Sequence, residues 1–72
     1  MPLNDFFGPL NTTERSVLAH RFGLCDLDPR TQVEIGEILN MPHQRVSQIE
    51  KRSLVKAKRH LEAYGLHLDD FI

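Results

Sequence analysis

Apolar residues along the chain fall into helical spacings that are interrupted at four points. The stops are Gly8-Pro9, Gly23, Asn40-Met41-Pro42 and Gly65. Proline removes a backbone donor and restrains the residue before it, and glycine suits a left-handed helix end. Residues 3–7, LNDFF, have helical spacing for one turn. The next segment, helix 12–22, opens with Asn11 and Glu14 at capping-box spacing and closes at Gly23. A third helix over 32–39 is announced by Thr31 and Glu34, again a capping-box pair. Ile35, Ile38 and Leu39 form its apolar stripe, and Gly36 inside it points to a close approach by another helix.

The fourth helix is expected over 42–64, with Pro42 in its first turn and Gly65 ending it. Placed at 100° per residue, Val46, Ile49, Ser53, Ala57, His60 and Tyr64 fall within an arc of about 80°. That arc is the buried stripe, flanked by Leu54 and Leu61. The tail 66–72 is apolar enough to dock but has no predicted place. The fold class that follows is all-α: a small four-helix domain, 1–72, with a C-terminal helix-turn-helix. Asn40-Met41-Pro42 is the turn, and a motif of this kind presents its second helix to a partner surface.

With Val46 and Ile49 inward, His43, Gln44, Ser47, Gln48 and Lys51 share the outward face of the fourth helix. In a helix-turn-helix the first turns of the second helix meet base edges in the major groove. Glutamine can pair bidentately with adenine, and serine can donate or accept. Arg45, Arg52, Lys56, Lys58 and Arg59 spread to either side, where phosphates would lie. Val55 points outward between Lys51 and Arg59. A single exposed valine is ordinary, though this one also marks a place where a protein could touch.

The 72 residues carry a net charge of −1, but unevenly. Residues 1–41 hold −3, residues 42–63 hold +4 and residues 64–72 hold −2. A basic helix in an acidic frame is most simply a solvated face, and beside a helix-turn-helix pattern it suits a polyanion. The single cysteine, Cys25, excludes an internal disulfide. It sits with Asp26 and Asp28, which disfavour a thiolate nucleophile. His20, His43, His60 and His67 have no spacing that pairs metal ligands. No cofactor, metal site or enzymatic activity is expected. No apolar run approaches a membrane span and no signal-peptide pattern is present, so the expectation is a soluble, cytoplasmic chain with no membrane partner.

"LNTTERSVLAHRFGL" followed by "RTQVEIGEILNMPHQRVSQIEKRSLVKAKR" resembles region four of bacterial RNA polymerase sigma factors of the primary, housekeeping type. The resemblance covers residues 10 to 59, through "RFGL", "EIGEIL" and "RVSQIE" in that order and spacing. It implies recognition of the minus-35 promoter element by the helix-turn-helix. It also implies docking on the flap of the polymerase β subunit and contacts with activators or anti-sigma factors. By position, His43, Gln44 and Gln48 are implied as base readers. Arg21, Thr31 and Gln32 are implied backbone contacts, and Arg45 joins them from its place beside the outward face. Arg52, Lys56 and Lys58 match an activator or regulator surface, which Val55 and Arg59 adjoin on the helix. Phe6, Phe7 and Leu10 are read first as core, and the resemblance offers them, with Val17, to the flap or anti-sigma contact. His43-Gln44 stands where the family commonly has Arg-Glu. Thr13 and Ser47 replace usual arginines, and Glu37 a usual basic residue. The two functions that follow are promoter reading and, alternatively, a protein-docking module with altered DNA reading. A generic helix-turn-helix regulator is a weaker third reading, because no dimer helix is evident.

Overall fold

The computed structural model describes residues 8–24 and 26–67. They contain three helices: α1, Thr12–Phe22; α2, Gln32–Leu39; and α3, His43–Glu62. The expected four-helix count is therefore not supported, and the segment expected over 3–7 lies outside the described residues. No strand occurs among the described residues, and none of their helices is long and apolar enough to cross a membrane.

Both short helices start with a reciprocal cap. The Asn11 side chain accepts from the Glu14 N–H at 2.8 Å, and Glu14 Oε1 accepts from the Asn11 N–H at 3.0 Å. Thr31 and Glu34 repeat the arrangement at 3.1 and 3.0 Å. Each pair satisfies two donors that a helix start leaves open. α1 ends on Gly23 with φ 68°, α2 on Asn40 with φ 57°. Both are left-handed ends, which glycine and asparagine adopt most readily. The loop after α1 is pinned back by the Arg30 N–H donating to the His20 carbonyl at 2.9 Å.

α3 is the spine. Its first half places Val46 and Ile49 against Val17 of α1 and Ile35 of α2, with Leu39 and Met41 packed at the edge. Its second half places Ala57 and Leu61 against Leu10 and Leu18, with Phe22, Leu24, Leu54 and Leu66 around them. Ser53 lies between the halves, fully buried, and its hydroxyl donates to the Ile49 carbonyl at 2.6 Å. That bond removes the cost of an unpaired buried hydroxyl. Each fully buried leucine in these clusters contributes about 1.5–3 kcal/mol.

The end of α3 departs from expectation. The helix stops at Glu62, and Pro42 is its N-cap in extended conformation rather than a first-turn residue. Ala63–Gly65 form a turn, with Gly65 at φ 74°. The Leu66 N–H then bonds back to the Leu61 carbonyl at 3.0 Å, folding Leu66 onto the core. Leu61 is therefore fully buried, whereas Tyr64 leaves the helical register and is 68% exposed. His60 is half-buried, with its ring edge-on to Tyr64 at 5.3 Å. Of the tail expected over 66–72, only Leu66 and His67 are described. In α2, Ile35 is buried but Ile38 is exposed, because an eight-residue helix meets its neighbours on the Ile35–Leu39 side only.

Gly36 is explained by backbone rather than by a neighbouring helix. A Cβ at this position would sit 2.5 Å from the Met41 carbonyl oxygen and 3.5 Å from the His43 nitrogen. The turn thus folds tightly over α2, and no flexible side chain is there to yield. Gly36→Ala should destabilise the domain by about 1–3 kcal/mol although alanine favours helix. Urea unfolding followed by circular dichroism measures it, and an unchanged midpoint would contradict this close approach.

A second tie joins α1 to α3. The Lys56 ammonium lies 2.9 Å from Glu14 Oε2 and 3.1 Å from Oε1, and the Glu14 side chain is only 4% exposed. Burial pushes the Glu14 carboxyl up. The Asn11 N–H and the Lys56 ammonium outweigh that effect and hold it below its ordinary value of 4.5. A carboxyl with a lowered folded value stabilises the native state above its unfolded pKa. The contribution is lost as pH falls through the folded value. Wild-type stability should therefore drop with acid below about pH 4.5, and Glu14→Gln should shrink that slope. Exposed Glu34, also lowered by the Thr31 backbone N–H, supplies a separate share that the Glu14 variant leaves in place.

Candidate nucleic-acid interface

The buried seam on one side of α3 decides what its other side presents. His43, Gln44, Arg45, Gln48 and Lys51 are exposed, and Ser47 is half-buried at the margin. These residues occupy the first three turns after the Asn40–Pro42 turn. Pro42 makes no side-chain cap hydrogen bond, so the start of α3 lacks the reciprocal cap of α1 and α2. Arg45 Nη1 reaches Gln48 Oε1 at 3.5 Å, a long contact that leans the Gln48 amide along the helix. His43 also borders an open depression of about 380 Å³ between α2 and the turn, lined by Val33, Glu37, Asn40 and Met41.

Further along α3, Arg52, Val55, Lys58 and Arg59 are exposed, Val55 at 50%. Lys56 is not among the free cations, because its ammonium is committed to Glu14. The expected activator surface therefore keeps four of its five residues exposed and unpaired with Glu14. Leu10 and Val17, expected to meet the polymerase flap, are 4% and 0% exposed inside the domain's own core and present no surface. Phe6 and Phe7 lie outside the described residues, as does Cys25.

The implied backbone contacts are similarly divided. Arg45 is exposed. Thr31 is exposed, but its hydroxyl caps α2 by accepting from the Glu34 N–H. Arg21 Nε meets Glu50 Oε1 at 2.9 Å, and Arg21 Nη1 donates to the Arg30 carbonyl at 3.4 Å. The first of these is an ion pair without hydrogen-bond alignment. Gln32 Nε2 donates to the other Glu50 oxygen at 3.4 Å.

Glu14 and Glu50 are the residues that sequence reasoning missed. Glu14 was legible as a cap but not as the anchor for Lys56. Glu50 had a signal: an acidic residue about 40° from Val46, on the edge of the buried stripe, needs a partner. Electrostatically, the two carboxylates neutralise Arg21 and Lys56 and leave Arg45, Lys51, Arg52, Lys58 and Arg59 as the exposed cations of α3.

The family model described as sigma-70, region 4 matches residues 7–59. The chloroplastic RNA polymerase sigma factor sigF of Arabidopsis thaliana is 38% identical over 65 residues, covering 90% of this chain and 12% of that protein. The RNA polymerase sigma-C factor of Nostoc sp. is 39% identical over 57 residues, covering 79% of this chain and 14% of that protein. The chain thus spans a small fraction of these relatives' length, and neither name supports the primary, housekeeping type. No solved structure gives a significant match. The match over residues 7–59, carried by the α1, α2 and α3 just described, places the chain in the sigma-70 region 4 family, a DNA-binding rather than a catalytic family.

Proposed function

We propose that this domain reads promoter DNA at the minus-35 element as region four of an RNA polymerase sigma factor, directing transcription initiation. The observation that supports it is the exposure of Gln44, Gln48 and Lys51 together on the face of α3 opposite its buried seam, with His43 exposed at the helix start. Gln44 presents an amide suited to adenine, and His43 offers guanine a donor without a fixed charge. Arg45 lies to one side of this face for phosphate. A polymerase β-flap contact and regulator contacts belong to the same reading. Leu10 and Val17 take no part in them, being buried.

A second reading has one observation in its favour. Val55 is 50% exposed in a row with Arg52, Lys58 and Arg59, beyond the turns that would meet bases. That mixed apolar and basic strip suits an acidic protein surface on polymerase or on an anti-sigma regulator. The absence of basic side chains at Thr13, Glu37 and Ser47 agrees with a domain that docks more than it reads.

Fluorescence anisotropy at low salt, with a minus-35-containing duplex and a scrambled one, tests the first reading. The promoter duplex should bind more tightly. Gln44→Ala should cost about 1–3 kcal/mol of discrimination at one base pair. Lys51→Ala should weaken both duplexes evenly and lower the salt slope by about one unit. Equal affinity of the wild type for the two duplexes would overturn promoter reading. If polymerase or anti-sigma capture by pull-down then survived but fell with Val55→Ser, the docking reading would replace it.

A further inference from the structure

Arg21 and Gln32 sit on different helices, yet their polar ends converge on one carboxylate of a third. Glu50 belongs to α3 and its side chain is 14% exposed. One oxygen is 2.9 Å from Arg21 Nε in the last turn of α1, and the other accepts from Gln32 Nε2, the first residue of α2, at 3.4 Å. Arg21 Nη1 is held in addition by the Arg30 carbonyl at 3.4 Å. The guanidinium is therefore gripped at two places by its own chain, and its charge is matched by Glu50.

We infer that Arg21, Gln32 and Glu50 form a clasp that sets the rotation of α3, and that Arg21 and Gln32 act as positioning residues rather than as phosphate ligands. The inference rests on the DNA reading proposed above. Its physical basis is the seam beneath. Ser53 and Ala57 are small, and apolar packing has no directional preference, so the middle of the seam alone tolerates a helix turned by some degrees. A rotation of about 20° carries a side-chain tip on a helix radius of roughly 5–6 Å through about 2 Å. A base-edge hydrogen bond does not survive that displacement. A carboxylate held from both α1 and α2 resists rotation in either direction. A neutralised ion pair, by contrast, releases little counterion when DNA approaches, so Arg21 in this state adds little to phosphate affinity.

The test compares a duplex selected by the wild-type chain from a randomised pool with a scrambled duplex, across a salt series. Arg21→Met and Arg21→Lys are measured beside the wild type, with circular dichroism confirming that each is folded. As a positioning residue, Arg21 gives both variants the same result. The ratio of selected to scrambled affinity falls about tenfold, and the slope of log binding constant against log salt is unchanged. Lysine does not rescue, because it keeps the charge but cannot span Glu50 and the Arg30 carbonyl together. As a phosphate ligand it would behave oppositely. Arg21→Met would flatten the slope by about 0.9, Arg21→Lys would restore it, and the ratio would hold; that pattern overturns the inference. Should Arg21→Met fail to fold, Glu50→Gln carries the same decision. A lower ratio of selected to scrambled affinity supports the clasp, while an unchanged ratio refutes it. A wild-type chain that selects no duplex removes the functional reading itself, and the clasp's role with it.

Discussion

The buried seam of α3 is the constraint on which the rest depends. Val46, Ile49, Ser53, Ala57 and Leu61 lie along one side of a 20-residue helix, and both short helices pack onto that line. The first half of the seam closes one cluster with Val17 and Ile35, and the second half closes another with Leu10 and Leu18. A helix has only one angular register, so burying this side exposes the opposite one. Gln44, Gln48, Lys51 and Val55 are outward for that reason. Ser53 is tolerated in the seam because its hydroxyl is answered within the same helix by the Ile49 carbonyl.

Two ionic ties flank the seam. Glu14 holds Lys56, and Glu50 holds Arg21 and the Gln32 amide. Partly exposed ion pairs of this kind contribute little net stability, on the order of 0–1 kcal/mol. Their importance lies in geometry, since each ties one carboxylate to a particular donor on another helix and apolar contact does not. They also account for the charge pattern. The acidic excess of residues 1–41 supplies Glu14, and Glu50 is one of the few acids within the basic segment. Each removes one cation from the set a polyanion would meet. What remains exposed is a strip whose first turns carry amides and an imidazole, and whose later turns carry Arg52, Val55, Lys58 and Arg59.

The sequence's legibility varied with the range of the interaction. Both capping boxes were readable because each is complete within four residues, and the left-handed ends at Gly23 and Asn40 follow from the residues that stand there. The helix-turn-helix and the outward face of its second helix were readable from periodicity. The far end of α3 was not. A pattern extended to Tyr64 on helical angles alone takes no account of the turn at Ala63–Gly65 that brings Leu66 onto Leu61. Gly36 was recognised as a point of close approach, but the approaching group is the Met41 carbonyl.

By itself, then, the chain determined its three described helices, the caps of the two short ones, the first half of the seam and the face opposite it, since all of these rest on hydrogen bonds and spacings a few residues long. Tertiary structure alone decided which polar residues stay available. Lys56 and Glu14 are 42 positions apart, and Gln32 and Glu50 are 18 apart. No local rule pairs residues at such distances. They meet because packing two helices onto one seam leaves a carboxylate at each flank within reach of a donor. Leu10 and Val17 were likewise assigned by packing, which enclosed them in the core. The side chains of α3 that nothing else in the fold could reach are the ones left to face a partner.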